Sequence, residues 1–176
     1  MNKKFFGLTV LSVVLASQVV SADSTHGNRY LGASVGFMEI DLQGNSNDAS
    51  INHLEGRLGG YVNDYVALEA RLGLGVTGDT IAGADIDLRY LVGGYVRAGV
   101  PVTEQLFPYV LLGFTRADFE VSAAGISINT AETDASFGVG IDADVANLSL
   151  SAEYAALVDK NGSTLSGFSI GFTTTF

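Results

Sequence analysis

From residue 29 onward the polarity of this chain alternates with a period of two, in segments of about 10 to 14 residues separated by clusters of Gly, Asn, Asp, Ser and Thr. The segments lie at 29–42, 50–62, 65–77, 85–99, 107–121, 133–145, 148–158 and 165–176. Side chains on a strand point alternately to its two faces, so each segment reads as a strand with one apolar face. Eight is an even number, which lets an antiparallel sheet close on itself without leaving an unpaired edge. The fold class expected is all-β, an eight-stranded antiparallel up-and-down barrel.

The segments before these strands belong to export. Lys3 and Lys4 precede an apolar run at 5–16, and Val20, Ser21 and Ala22 offer small residues for cleavage. Residues 1–22 therefore read as a secretory signal peptide, with one domain at 23–176. Past that leader, no apolar run approaches the roughly 20 residues of a membrane helix. If a membrane is crossed, it is crossed by a barrel.

The composition narrows the chemistry. There is no cysteine, so neither a disulfide nor a thiolate is available. Without Lys3 and Lys4 the nine basic residues fall to seven against 19 acidic ones, a net charge of −12. Nucleic acid is a poor partner for such a chain, because binding it takes a basic face.

Soluble and membrane barrels share the same period, so what decides between them is which face is apolar. In the third segment Val66, Leu68, Ala70, Leu72, Leu74 and Val76 alternate with Ala67, Glu69, Arg71, Gly73 and Gly75. In the sixth, Phe137, Val139, Ile141 and Val145 alternate with Ser136, Gly138, Gly140, Asp142 and Asp144, and in the seventh Leu148, Leu150 and Tyr154 alternate with Ser149, Ser151 and Glu153. Small and charged side chains suit a narrow lumen, while large aliphatics suit lipid. Lys160 is the only lysine beyond the leader, too few to solvate an exterior. The apolar face is read as the outside, and the 22 glycines as relief of crowding inside a small, curved barrel. Short connections at 63–64, 101–105 and 146–147 alternate with longer ones at 43–49, 78–84, 122–132 and 159–164, as periplasmic turns alternate with extracellular loops.

The chain resembles the small outer-membrane β-barrel proteins of Gram-negative bacteria, the OmpA/OmpX-like group often labelled porin-family. The resemblance rests on the leader, the eight segments, the stretch YVRAGVPVT at 95–103, the strand start FPYVLLG at 107–113 and the terminal aromatic. It implies a place in the outer membrane among lipid and lipopolysaccharide, insertion by the barrel assembly machinery with help from periplasmic chaperones, and a monomer. It also implies an assembly signal on the last strand. Ser169, Gly171 and Phe176 match its positions, while Thr174 stands where an aromatic is usual. No tryptophan is present for the interfacial belts, which leaves Tyr and Phe to fill them. No peptidoglycan-binding domain is expected, so direct cell-wall anchoring is not implied.

Thirteen charges are expected in the lumen: Glu55, Arg57, Glu69, Arg71, Asp87, Arg89, Arg97, Arg116, Asp118, Glu120, Asp142, Asp144 and Glu153. Charges in so narrow a space must pair or be hydrated. If Tyr61 faces Tyr65 across the first short turn, Arg57 lies opposite Glu69 and Glu55 opposite Arg71. The result is a plug of crossed ion pairs, or, as the resemblance suggests, a gate. His53 and the carboxylate pairs Asp85/Asp87 and Asp142/Asp144 lack the partners and spacing that catalysis or a cation would need, so no enzyme, metal or cofactor is expected. The expected function is that of an integral outer-membrane barrel with a structural role, and narrow solute or ion passage as an accessory one. The alternatives are a surface adhesin acting through its loops, a lipid-modifying outer-membrane enzyme and a soluble lipocalin-like carrier.

Overall fold

The computed structural model describes residues 29–42, 49–81, 84–123, 126–160 and 163–176, so the leader expected at 1–22 and all but the last residue of the connection expected at 43–49 lie outside the described residues. The strands are β1 (Arg29–Leu42), β2 (Ala49–Asn63), β3 (Val66–Thr77), β4 (Asp79–Ile81), β5 (Ala84–Gly99), β6 (Leu106–Ala123), β7 (Ile126–Val145), β8 (Leu148–Lys160) and β9 (Ser163–Thr175). Each pairs antiparallel with its neighbours in the order β3-β2-β1-β9-β8-β7-β6-β5-β4, and a further β3–β5 ladder closes the ring. Eight strands thus form the barrel. β4 is a short flap that pairs with the start of β5, where Asp79 meets Ile86. The seam between β1 and β9 runs from Tyr30↔Thr175 to Leu42↔Ser163.

One end of the barrel carries the tight connections. Asn63 Oδ1 accepts from the amides of Tyr65 and Val66, and Thr103 Oγ1 accepts from those of Gln105 and Leu106. Such local side-chain bonds replace ladder bonds at a turn. Ala146 begins the β7–β8 turn with φ of 56°, a left-handed conformation that costs a residue with a Cβ about 1–2 kcal/mol.

At the opposite end the structure corrects the loop expectations. The stretch at 122–132 is strand for most of its length, because β6 and β7 stay paired up to Ala123↔Ile126. The stretch at 159–164 likewise pairs to Lys160↔Ser163, and β4 occupies part of 78–84. The polar, turn-like composition there marks strands that stand in water.

Within the barrel wall, the alternation puts Leu54, Leu58, Leu68, Leu72, Leu112, Phe114, Val139 and Ile170 outward, each from 47% to 67% exposed. The inner face divides. Toward the tight-turn end it holds charge and hydroxyls, and toward the other end it holds Met38, Ile40, Ile51, Leu88, Leu91, Ala117, Ala155, Leu157 and Leu165, with Ile86 and Phe119 packed against them. An apolar cluster inside the lumen was not expected from the sequence.

Candidate functional site: the lumen

The charged layer is built around Arg71 on β3. Its guanidinium makes a two-pronged contact with Glu153 on β8, Nη1 to Oε1 at 2.5 Å and Nη2 to Oε2 at 2.8 Å. Its Nε donates to Glu69 on the same strand, and Nη1 lies 3.5 Å from Glu55 on β2. One cation therefore serves three carboxylates, all buried. Charge-assisted, two-pronged bonds of this kind are the strong ones, and in a lumen they are needed, since an unmatched buried charge is costly.

Hydroxyls complete the carboxylate shells. Tyr30 donates to Glu69 at 2.7 Å, Tyr109 to Glu153 at 2.9 Å and Ser34 to Glu55 at 3.2 Å. Arg57 turns to Glu55 at 3.3 Å and to Ser34 at 3.0 Å. Nearer the tight-turn end, Arg97 pairs with Asp142 and lies 3.6 Å from the centre of the Tyr109 ring, a cation–π contact. A chain of hydroxyls rises from the layer. Ser136 donates to the Leu157 carbonyl at 2.6 Å, so Thr115 donates to Ser136 at 2.7 Å and Tyr95 to Thr115 at 2.5 Å.

The glycines make room for these rings. Tyr30 lies over Gly59 and Tyr109 over Gly140, their direct cross-strand partners, and a Cβ at either glycine would come within 2.4 Å of the ring. Sequence reasoning left Tyr and Phe to fill the interfacial belts and so missed the lumen tyrosines Tyr30, Tyr95 and Tyr109. The available signal was an aromatic set against an inward glycine across the strand pair.

The predicted lumen charges divide in two. Glu55, Arg57, Glu69, Arg71, Arg97, Asp142 and Glu153 are buried in the lumen, and Asp144 sits half-buried on the same face at the tight-turn end. Asp87, Arg89, Arg116, Asp118 and Glu120 do not belong there. On β6 the inward positions are Tyr109, Leu111, Thr115 and Ala117, so the alternation sets Arg116, Asp118 and Glu120 on the other face, where Asp118 is buried at 8% exposure. On β5 a bulge at the Leu88/Tyr90 register shift reverses the alternation, which turns Asp87 and Arg89 outward while Leu88 goes in. Arg89 reaches Asp118 at 3.0 Å on that outer rim.

The predicted register also moves. The β2–β3 pairing sets Arg57 opposite Arg71 and Glu69 opposite Gly59, because the irregular step between Tyr61 and Asn63 shifts the strands. The Glu55–Arg71 pair forms on the diagonal, and Arg57 takes Glu55 in place of Glu69. On the last strand, Ser169 is buried in the lumen, Gly171 faces the same way, and Phe176 is 68% exposed with its amide donating to the Arg29 carbonyl at 2.9 Å. The Thr174 hydroxyl donates to the Asn147 carbonyl at 3.2 Å.

His53 lies between the charged layer and the apolar cluster, 1% exposed, beside Gly36 and Gly73. Among the described residues, no group of three or more His, Cys, Asp or Glu side chains is arranged to hold a metal ion.

A barrel polar within and apolar without is the architecture of outer-membrane proteins, and the comparisons agree. The chain is similar in structure to Neisserial surface protein A, at a TM-score of 0.67 and 15% identity over 87% of this chain and 100% of that one. It is also similar to Ail, the attachment invasion locus protein of Yersinia pestis, at 0.65 and 15% over 86% and 99%. A third likeness is to the N-terminal barrel of Pseudomonas aeruginosa OprF, at 0.58 and 16% over 84% and 98%. No curated protein sequence matches the chain. The model of the outer membrane protein beta-barrel domain matches residues 6–176, and the chain belongs to that family of outer-membrane barrels.

Proposed function

We propose that this protein is a structural outer-membrane barrel that is closed at rest. The observation that carries this is the filled interior: an ion-pair layer centred on Arg71 and, in series with it, a buried aliphatic cluster. An eight-stranded lumen is just wide enough for side chains to fill. Planar-bilayer recording of the folded protein tests it. No steady channel steps are expected, and a sustained wild-type conductance would sink the reading.

A second reading, contact at the cell surface, is favoured by one observation. β5, β6 and β7 continue past the level at which the outer face turns from Phe114 to Arg116, and the far hairpin exposes Ile126 by 67% and Ile128 by 62%. Exposed apolar residues on a protruding sheet are a feature of interaction surfaces. Ail, whose name describes attachment and invasion, is similar in fold, which supports this reading without specifying a partner. Ile126→Ser/Ile128→Ser should leave the barrel folded and abolish cell-surface binding; retained binding would exclude the hairpin.

The export and assembly steps are part of the same reading. The leader is cut before Asp23, Ser169, Gly171 and Phe176 present the signal read by the assembly machinery, and the inserted barrel is a monomer. Deleting Phe176 should abolish assembly, with Thr174→Tyr changing the yield much less. A non-enzymatic role fits the position of His53, which is enclosed in the lumen away from any lipid headgroup.

A further inference from the structure

The two materials of the lumen differ in how they meet water. In the charged layer several buried polar atoms have no partner among the described residues: Nε and Nη1 of Arg57, Nε of Arg97 and Oδ1 of Asp142. Buried polar groups left without a protein partner are normally bridged by internal water, and this layer offers a water the two to four polar contacts it needs. Its four fully buried carboxylates outnumber its three guanidiniums, so it does not repel a small cation. The cap is the reverse. Ile51 is 0% exposed, Leu157 1% and Leu91 2%, and among the described residues the polar groups that border it are the Tyr95–Thr115–Ser136 hydroxyl chain, which ends satisfied on the Leu157 carbonyl, and His53 at its lower edge, whose Nδ1 has no partner.

We propose that the gate of this barrel is the apolar cap, and that the ionised layer beneath it is a wetted vestibule. An ion or polar solute exchanges its hydration shell for the groups of the layer, but in the cap it meets only hydrocarbon. Narrow apolar constrictions block passage by expelling water. Rearranging the pairs of Arg71 leaves that barrier in place, so switching ion pairs does not open the barrel. Passage requires the cap to loosen, and the cap lies where the strands emerge from the membrane, next to the β5 bulge and the protruding sheet. Contact at the outer surface is thus mechanically adjacent to the seal.

This inference rests on the closed-barrel reading, and the experiment separates the two. The full chain is refolded, the folded species is selected by heat-modifiable gel mobility, and single-channel currents are compared for wild type, the cap variant Leu91→Ser/Leu157→Ser and the layer variant Arg71→Gln/Glu69→Gln/Glu153→Gln. The cap variant should carry a steady cation current about ten-fold or more above the wild-type leak, and the layer variant should stay at the wild-type level. A conducting layer variant, or a folded cap variant as silent as wild type, would overturn the proposal. Steady current through the wild type would overturn the closed-barrel reading alone, and the gate would still be judged by which variant enlarges that current.

A second measurement tolerates a cap that refolds poorly when made polar. The chain has no cysteine, so single-cysteine variants report without background. Ser151→Cys in the layer should react with silver ion about ten-fold or more faster than Leu157→Cys in the cap, as water and ions reach the first and not the second. Equal rates, or the reverse order, would overturn the proposal.

Discussion

The same strands obey opposite rules in two parts of this molecule. In the membrane part, Arg71, Glu69 and Glu153 point inward while Leu72, Leu112 and Phe114 point out. Where the strands emerge, Met38, Ile51, Leu88 and Phe119 point inward while Glu39, Arg89 and Arg116 point out. The first part is inside-out, as hydrocarbon requires, and the second is packed like a soluble protein. Period-two alternation survives the change, because only the identity of the buried set switches. Patterning therefore reports the strand, and the surrounding solvent decides which face is which.

The largest way to break this comparison is to remove the hub of the lower part. Arg71→Leu strands Glu69 and Glu153 and leaves Glu55 to Arg57 alone, and should cost about 3–5 kcal/mol in urea unfolding, enough to lower the refolded yield sharply. Adding Glu69→Gln and Glu153→Gln should recover much of the loss.

Next comes the outer boundary. Leu112→Arg puts a charge two outward steps down β6 from Arg116, near mid-membrane, and should cost about 2–4 kcal/mol. Arg116→Ala, four residues away on the same face, should stay within about 0.5 kcal/mol. Equal effects would mean that the boundary between the two parts has been drawn at the wrong height.

Packing gives a finer contrast. Leu91→Ala in the cap should cost about 3–4 kcal/mol, because a cavity remains among fixed neighbours. Leu112→Ala on the lipid face should cost about 2 kcal/mol, since acyl chains fill the space and only the transfer contribution is lost. Smaller still, Ala146→Gly should gain about 0.5–1 kcal/mol by relieving the left-handed turn, read as a shift in the denaturant midpoint.

The smallest effect is one of pH, on the outer flap. The Asp79 carboxyl accepts from the Ser50 amide at 3.0 Å and the Thr80 amide at 2.7 Å, and these bonds, Ser50 first, hold it below the usual carboxylate range. A carboxyl lowered in the folded state contributes above its unfolded value and loses that contribution as pH falls through the folded one. Exchange of the Ser50 amide should therefore gain less protection from this bond in acid than at neutral pH, and Asp79→Asn should remove the difference.

How far the sequence could be read follows from these two parts. The barrel, its eight strands and the lipid face were legible because alternation is local and the third, sixth and seventh segments carry it cleanly. The charges Arg71, Glu69 and Glu153 were legible for the same reason. Arg116, Asp118 and Glu120 were misplaced because a charge was taken to mean lumen, although a strand standing in water carries charge on its outside. Asp87 and Arg89 were misplaced by a bulge, which no composition signals. The cap was invisible because inward and outward aliphatics look alike once the environment changes along the strand.

The seam between β1 and β9 sets the order of events during biogenesis. It joins Tyr30 to Thr175, almost opposite ends of the chain, so the ring cannot shut until β9 has been made and exported. Until then β1 waits with an open edge, and edges of this kind invite pairing with the wrong neighbour. The last contact to form is thus the one that ends the hazard, and any kinetic delay in delivering β9 would appear as aggregation rather than as a stable partial barrel.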